Sequence, residues 1–519
     1  MFRNRRSRVG LGVAVALLAP LALSACGGGS TSSSGGSANT TSSGGTLNLG
    51  LLVPATTFEA PDMNWANESP YGQAVYDTLT QASPSGVIGP DLATAWSYNA
   101  AKTVLTLTLK TGVKFTDGTA FSASTAAANL EAFQKGTSSN AADLVNMASA
   151  TAASPTKLVI TLKQPDPAFL VYLSQNAGLQ ESPKAFGSAT AKTVPVGSGP
   201  YVMDTAATVP GSSYTFTASP GYWNKAQQHY SKIVMTVYAT PTAALDAIQG
   251  GQVNAANTFD NTALTQIQNA GFTVYPLQLN WEGLMLLDRA GTMSKPLASV
   301  QVRQAINYAF DRAALLKAIG GGFGTVTTQI FAPTSPAFDK SLDSYYTFDP
   351  AKAKQLLAQA GYPNGFTLNM PEAPALGAST YALIAQELAN IGIKVNNTSY
   401  AGNGIFTAIL APKYPATFFI LQEDPTVWQE TQFVIAQTAT WNPFHAANPT
   451  VAGYIKTIQT GSAAAADTAS KSLNQYLVQN AWFVPFFRPQ SSFVADKNTA
   501  VTVQTGNALP YLWNIKPKS

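Results

Sequence analysis

Hydrophobic and polar residues alternate with a period of two in several short segments, most of them in the first half of the chain. The clearest are residues 46–53, 103–109, 157–162 and 213–217. Successive side chains of a β-strand point to opposite faces, so this alternation is typical of half-buried strands. The first half of the chain is therefore predicted to be rich in strands.

A helical period replaces this pattern in residues 300–319. Apolar residues recur there at a spacing of four, namely Val302, Ile306 and Phe310. This spacing places them on one helix face, and Gly320 is expected to end the helix. Arg303 and Arg312 do not share a face of that helix, and we expect them to form surface or interdomain ion pairs.

Further helices follow, with strands between them. Asp349 and Pro350 have the chemistry of an N-cap and a first helical turn, and Gly361 is expected to end that helix. A third helix is predicted over residues 381–390 and a short strand over residues 391–395. This alternation of helices and strands predicts an α/β layer in the second half of the chain.

The first residues have the pattern of an export signal. Four arginines precede an apolar run at residues 9–22, namely Arg3, Arg5, Arg6 and Arg8. The run is shorter than a comfortable membrane span. It ends in Leu-Ser-Ala-Cys at residues 23–26, which resembles a bacterial lipobox. We predict a lipoprotein signal peptide over residues 1–25 and lipidation of Cys26. The alternatives are an ordinary signal peptide with an incidental cysteine and, since Arg5 and Arg6 are adjacent, twin-arginine export.

A stretch of small polar residues follows Cys26. Residues 27–45 are almost entirely Gly, Ser, Thr, Ala and Asn, a composition that cannot bury a core. Residues 26–45 therefore read as a flexible tether with a root-mean-square span of about 25 Å. No later segment is apolar and long enough to span a bilayer. We expect an exported protein, anchored by lipidated Cys26 to the outer face of the cytoplasmic membrane.

Charge adds little to this picture. The chain has 519 residues, of which 11% are charged, and a net charge of +4. Removing residues 1–25 leaves 26 basic residues against 26 acidic residues. The net basic charge thus belongs to the signal, and we predict no nucleic-acid partner.

Metal and cofactor chemistry also has little support. The chain has one cysteine and two histidines, His229 and His445, which excludes a cysteine-based zinc site. The motifs HExxH, GxSxG and GK[ST] are absent. We predict no metal, no cofactor and no catalytic residues.

Several segments carry a stronger signal in combination than any carries alone. They are residues 89–96 (GPDLATAW), 109–119 (LKTGVKFTDGT), 196–201 (VGSGPY), 220–223 (PGYW), 302–312 (VRQAINYAFDR), 350–362 (PAKAKQLLAQAGY) and 424–425 (DP). In this order they resemble the motifs of the family 5 extracellular solute-binding proteins. Those proteins are the dipeptide, oligopeptide and nickel receptors of ABC importers.

The resemblance implies an α/β, two-lobed periplasmic-binding-protein-like fold with two hinge crossings and an extra subdomain in lobe I. Lobe I is expected to comprise residues 46–278, with the inserted subdomain at about 60–210, and to be completed by residues 488–519. Lobe II is expected at residues 285–485. The lobes are expected to close around a solute, and the expected class of solute is a peptide. A monomeric receptor is then expected to deliver that solute to an ABC permease powered by a separate ATPase.

The resemblance also suggests a ligand contact. In peptide receptors of the family, the aspartate of the late Asp-Pro motif, here Asp424, binds the ammonium of the peptide. Glu423 is expected to add negative potential, and Arg488 to bind a ligand carboxylate. The alternative for Asp424 is a simple strand-end turn. Thr426 and Val427 depart from the acidic or Asn residues common there, which weakens the assignment of a specific substrate.

Aromatic residues beside Pro, Gly, Asn or acidic residues are candidates for the apolar walls of a cleft. They are Trp65, Trp281, Trp428, Trp441 and Tyr201. Packing in a domain core is the alternative for each of them. The sequence does not separate peptides from oligosaccharides, opines or metal chelates.

Two other classes of function remain open from the residues. An extracellular hydrolase would need a nucleophile and a base, and the two histidines lack the context of a triad, although paired carboxylates remain a candidate chemistry. A sensory lipoprotein would bind a ligand but signal to a kinase instead of a permease.

Overall fold

The structure is a computed structural model that describes residues 44–258, 261–402 and 404–518. The predicted signal peptide, Cys26 and all but the last two residues of the predicted tether lie outside this range. No helix within the described residues combines the length and apolar character needed to cross a membrane.

The strands are short, apart from one of thirteen residues. They are β1 Thr46–Leu51, β2 Thr80–Ala82, β3 Ile88–Pro90, β4 Ala93–Tyr98, β5 Val104–Leu109, β6 Met147–Ser154, β7 Lys157–Leu162, β8 Tyr201–Met203, β9 Ser213–Ala218, β10 Lys232–Val237, β11 Ala255–Thr258, β12 Thr273–Gln278, β13 Asn280–Leu286, β14 Gly324–Val326, β15 Phe366–Glu372, β16 Ile393–Ser399, β17 Ala416–Gln422, β18 Phe483–Ala495, β19 Thr499–Val501 and β20 Ile515–Pro517.

The α-helices are more frequent in the second half of the chain. They are α1 Ser69–Val75, α2 Ala123–Lys135, α3 Phe169–Tyr172, α4 Pro241–Gln249, α5 Leu264–Asn269, α6 Val300–Tyr308, α7 Arg312–Ile319, α8 Pro350–Gln359, α9 Ala378–Ala389, α10 Gly404–Leu410, α11 Val427–Glu430, α12 Pro449–Thr460 and α13 Ala463–Gln479.

The long strand β18 joins two halves of the largest sheet. Its second part pairs antiparallel with β11 and β12. We call these strands, with β1 and β8–β10, the first sheet half. Its first part pairs antiparallel with β13 and β14, which with β17 form the second sheet half. Strands β12 and β13 are separated only by Leu279, so the chain passes between the halves twice within one sheet.

Separate small sheets complete the architecture. Strands β4, β5, β7 and β6 form an antiparallel sheet in that order, and helix α2 packs on β6 and β7. Strands β15 and β16 pair in parallel. Helices and strands therefore alternate in the second half of the chain, as the sequence predicted.

Separate hydrophobic clusters fill the two sheet halves. Leu49, Phe216 and Met235 belong to the cluster of the first half. Ile306 and Phe418 belong to that of the second half. All five side chains are buried, so each half has its own core.

Most of the predicted elements are confirmed within a few residues. The strand predicted over 157–162 is β7, and the strand predicted over 46–53 is β1, which ends at Leu51. The helix expected after Asp349 is α8, and the Asp349 side chain accepts a hydrogen bond from the Lys352 amide at 2.9 Å. Local capping chemistry was sufficient to find this boundary.

The single helix predicted over residues 300–319 is wrong, because two helices occupy that range. Helix α6 ends at Tyr308 and α7 begins at Arg312. Asp311 caps α7, since its side chain accepts a hydrogen bond from the Ala314 amide at 3.0 Å. An aspartate that caps a new helix interrupts the preceding one despite an unbroken apolar face.

The expected ion pairs of Arg303 and Arg312 are also wrong. Both side chains are buried. Arg303 donates to the carbonyl oxygens of Leu297 and Asn480, and Arg312 donates to that of Pro485. The five donors of a guanidinium make it well suited to hold loops in this way.

Candidate functional site

A cavity of about 740 Å³ is the candidate site. It is lined by segments distant in sequence, within residues 53–68, 139–146, 166–175, 422–440 and 506–507. This volume is in the range of cavities that enclose a small organic molecule. Tertiary packing, and no local motif, brings these segments together.

The structure brings only part of the predicted site to this cavity. Trp65, Asp424 and Trp428 line it. Glu423, Arg488, Trp281, Tyr201 and Trp441 are not among its lining residues.

Asp424 follows the end of β17 and is half-buried. One of its carboxylate oxygens accepts a hydrogen bond from Gln422 Nε2 at 3.1 Å. Its backbone amide donates to Glu430 Oε2 at 3.0 Å, which ties the loop after β17 to helix α11. Burial raises the pKa of Asp424 to about 7, and the bond from Gln422 opposes this. The side chain thus has capacity to bind a cation.

Glu430 is buried beneath this loop. Its second oxygen has no hydrogen-bond partner among the residues that the structure describes. Burial raises the pKa of Glu430 well above its usual range, and the charge of Asp424 adds to this. Both effects favour the neutral form of Glu430 beneath the Asp424 loop.

Trp428 connects two of the lining segments. It lies in the short helix α11, which begins after Thr426, whose hydroxyl accepts a hydrogen bond from the Gln429 amide at 3.1 Å. Burial raises the pKa of Asp166, and the Trp428 side chain is among the groups that oppose this. An indole that lies beside a carboxylate of another segment helps to fix the shape of the cavity.

Trp65 sits in a turn held by a neighbouring acid. The Glu68 carboxylate accepts hydrogen bonds from the amide and hydroxyl of Thr56 at 2.9 and 2.8 Å, and from Asn64 at 3.1 Å. Ala66 has a φ of 46°, a left-handed conformation that a non-glycine residue adopts at an energetic cost. Such local strain recurs at binding sites, where the surrounding contacts maintain it.

Glu423 and Arg488 form a buried ion pair away from the cavity lining. Arg488 Nε donates to Glu423 Oε1 at 2.6 Å, and Arg488 Nη1 to Asp343 at 3.1 Å. Arg488 is 0% exposed, and its remaining donors reach the carbonyl oxygens of Gln329 and Phe331. This corrects the expectation of a ligand carboxylate at Arg488, because the guanidinium is already enclosed and neutralised.

Three of the predicted wall aromatics are core residues. Trp281 is 0% exposed and packs edge-to-face on Phe483, with ring centroids 5.7 Å apart. Tyr201 is buried in the first sheet half, where its hydroxyl accepts a hydrogen bond from the Tyr230 amide. Trp441 is buried against Phe419. Proximity to turn residues in the sequence does not distinguish such side chains from cavity walls.

The sequence analysis missed several lining residues. Asp143, Asp166 and Tyr172 approach the cavity from the region around the four-stranded sheet. Asp166 precedes a proline after a strand, as Asp424 does, and that pattern was a usable signal. Nothing in the sequence around Asp143 distinguishes it from a surface acid.

Carboxamides and carboxylates dominate the polar lining. Among the described residues, nine Asn or Gln side chains and four acidic side chains line the cavity, and no Lys, Arg or His does. The amides suit hydrogen bonding to a polar solute such as a peptide backbone. The charged groups are all of one sign.

The histidines lie elsewhere. His229 is half-buried and its Nε2 hydrogen-bonds the Trp513 carbonyl at 3.0 Å. His445 is exposed and pairs with the carbonyl of Gln437. Within the described ranges, no group of three or more His, Cys, Asp or Glu residues is arranged to hold a metal ion.

Comparison of the sequence with known proteins identifies relatives. Residues 87–453 match the family described as "Bacterial extracellular solute-binding proteins, family 5 Middle". The glutathione-binding protein GsiB of Escherichia coli K12 is 30% identical over 388 residues, which cover 68% of this chain and 73% of that protein.

Solved structures show the same fold at lower identity. HbpA2 from Haemophilus parasuis matches with a TM-score of 0.80 at 19% identity, over 91% of this chain and 100% of that one. The Helicobacter pylori protein DppA in complex with the peptide STSA matches with a TM-score of 0.72 at 20% identity, over 92% and 98%. The architecture is therefore the two-lobed, α/β fold of periplasmic binding proteins, and the chain belongs to family 5 of the bacterial extracellular solute-binding proteins.

Proposed function

We propose that this protein is the lipid-anchored receptor of an ABC importer and that it binds a peptide in the cavity beside Asp424. The observation that carries the proposal is the position of Asp424. Its half-buried carboxylate lines a cavity of about 740 Å³ and accepts one hydrogen bond from a described residue. An ammonium group that met this carboxylate would form a charge-assisted hydrogen bond in a partly desolvated setting.

The amide-rich lining supports a peptide over a purely apolar solute. Asn and Gln side chains offer both a donor and an acceptor, as a peptide backbone requires of its partners. Trp65 and Trp428 supply flat apolar surfaces between them. The solved structure of Helicobacter pylori DppA is a complex with the peptide STSA, which agrees with this class of solute.

The sheet architecture supports a hinge. We assign lobe I to residues 46–278 and 488–519, with a subdomain at about 60–210, and lobe II to residues 285–485. The crossings then fall at Leu279, between β12 and β13, and in β18 where its pairing changes from β13 and β14 to β12 and β11. Two adjacent strands that cross together allow the lobes to rotate about one axis.

Anchoring and delivery complete the proposal. Lipidated Cys26 and the tether of residues 26–45 would keep the receptor at the outer face of the cytoplasmic membrane, as a monomer. The closed, loaded receptor would dock on a permease whose separate ATPase powers import, without chemistry on the solute. Replacing Cys26 by Ser should release the protein from the membrane fraction, and unchanged retention after detergent-phase partitioning would contradict the anchor.

The ammonium contact can be tested with three tripeptides, Lys-Ala-Ala, Ala-Ala-Ala and Glu-Ala-Ala, each also in amino-acetylated form. Isothermal titration should show that acetylation weakens binding by about 10- to 100-fold, the usual size of a charge-assisted contact. In Asp424→Asn, the free and acetylated forms should bind alike. Asp467→Asn is the matched control, because Asp467 is an exposed acid of α13 outside the cavity lining.

Equal affinity of free and acetylated peptides in the unmodified protein would refute the ammonium contact. Absence of binding by all six peptides would refute the peptide assignment. The protein should be unfolded and refolded beforehand, so that a co-purified solute does not occupy the cavity.

A further inference from the structure

The charge of the cavity is not balanced by the protein. In the part of the chain that the structure describes, four acidic side chains line it and no basic side chain does. The ion pairs among the described residues are Lys135–Glu131, Arg488–Asp343 and Arg488–Glu423, and none of them includes a lining carboxylate. Unpaired charges of one sign in a partly desolvated cavity repel each other and favour a ligand of opposite charge.

The four acids do not contribute equally. Glu68 already accepts three hydrogen bonds, from Thr56 and Asn64. Asp424 accepts one from Gln422. Burial, together with the charges of Asp424 and Asp166, raises the pKa of Asp143 to about 7. Asp143, Asp166 and Asp424 all line the same cavity.

Tyr172 lines the cavity together with these aspartates. Burial raises the pKa of its phenol, and the charges of Asp166, Asp143 and Asp424 each raise it further. Asp166 is partly satisfied, since Asn146 donates to it at 2.8 Å and the Ala168 amide at 3.1 Å. The Asn140 side chain lowers the pKa of Asp143 against the larger effect of burial, but as a neutral group it does not compensate the charge.

A second, independent feature indicates that the lining is built for a ligand. Trp65 is 7% exposed and its indole Nε1 has no hydrogen-bond partner in the described chain. Asn507 is 3% exposed and its Oδ1 likewise has none. Both residues line the cavity. Buried polar atoms without partners are rare in native proteins, and a bound solute is one way to satisfy them.

We propose that the solute carries two positive groups, one bound by Asp424 and a second bound by Asp143 with Asp166. This deepens the proposed function and rests on it: in a peptide, the first group is the amino terminus and the second is a Lys or Arg side chain at the first or second position. Glutathione, the solute named for GsiB, has two carboxylates and one ammonium group. The described lining residues include no Lys, Arg or His to pair with those two carboxylates, so the cavity does not suit glutathione.

The same tripeptides test this inference through their first side chain. In the unmodified protein, Lys-Ala-Ala should bind about 10- to 100-fold more tightly than Ala-Ala-Ala, and Glu-Ala-Ala should bind most weakly. Asp143→Asn should reduce the preference for Lys to about threefold or less, and Asp143→Asn with Asp166→Asn should abolish it. Asp467→Asn should leave the preference unchanged.

The outcomes separate this inference from the proposed function. Equal affinity for Lys-Ala-Ala and Ala-Ala-Ala, with acetylation still weakening both, would overturn the second cationic group and keep the peptide receptor. A preference for Lys that survives the double substitution would overturn the role of Asp143 and Asp166. Binding of the diamine putrescine with no peptide binding would support two positive groups and refute the peptide assignment. Failure of every probe, on protein shown to be folded by circular dichroism, would overturn both.

Discussion

Arg488 gives the most discriminating prediction. If it is part of a buried ion pair, replacing it should reduce stability and not affinity, whereas if it contacts the ligand, replacing it should reduce affinity and not stability. In the structure it is 0% exposed and donates to Glu423, to Asp343 and to two backbone carbonyl groups. Methionine fills much of the same volume without charge. Arg488→Met would leave Glu423, which is 3% exposed, as a buried carboxylate without its cation.

Breaking a buried ion pair by removing one partner costs about 3–5 kcal/mol of unfolding free energy. Glu423→Gln in the same chain removes the stranded charge and should recover about 2 kcal/mol, which is the coupling expected for directly paired residues. Lys135→Met is the matched control. It breaks a pair that is 3.9 Å long and exposed on both sides, so it should cost about 0.5 kcal/mol or less.

Urea unfolding followed by both tryptophan fluorescence and circular dichroism measures these differences, since coincident curves are required for a two-state free energy. Under native conditions, Arg488→Met should bind Lys-Ala-Ala with unchanged affinity. Wild-type stability combined with a tenfold loss of affinity would refute the buried-pair reasoning and restore Arg488 as a ligand contact.

The other predictions concern the cavity and its boundary. Burial raises the pKa of Asp143 and of Asp424 to about 7, and only their ionised forms bind a cation strongly. Affinity for Lys-Ala-Ala, measured by titration calorimetry, should therefore rise about tenfold per aspartate between pH 6 and pH 8; a flat profile would contradict these values. In the folded, unliganded protein both pKa values lie above those of the unfolded chain. Both groups therefore stabilise the folded state at acid pH, and this contribution is lost as the pH rises through 7. Thermal melts across that range would detect the loss. Gly506 has a φ of 70°, a left-handed conformation that costs an alanine about 1–2 kcal/mol of unfolding free energy. Gly506→Ala should cost more than this, because the new Cβ would also lie 2.7 Å from Pro425 Cβ. Gly211→Ala is the control, because Gly211 has a φ of 80° and nothing lies within 4 Å of the added Cβ, so that only the backbone conformation is penalised. If both substitutions lower the free energy of unfolding equally, the close approach to Pro425 has no energetic cost.

The limits of sequence reasoning are clearest at the predicted site. Asp424 and Trp428 line the cavity, whereas Glu423, next in the chain to Asp424, faces the interior and pairs with Arg488. Adjacent residues after a strand point in different directions, and no pattern in the segment reveals which one faces the solute. Trp281 was expected to line the cavity but is among the most completely buried side chains. The residues around it in the sequence do not reveal which way its side chain points.

The sequence by itself determined the local structure and the family. Alternation located β7, the Asp349 cap located α8, and an ordered series of motifs identified the family 5 fold. These features depend on backbone preference and on which face of a segment is apolar, and both are encoded within a few residues.

Only the tertiary structure decided the chemistry of the cavity. Asp143 and Asp166 lie far from Asp424 in the chain, and each alone resembles an ordinary surface or turn acid. Packing of the segments that carry them against residues 422–440 brings all three aspartates to one cavity, and the described lining includes no Lys, Arg or His. The physical reason is that electrostatic interaction depends on distance and burial in three dimensions, which a linear pattern of charges does not specify.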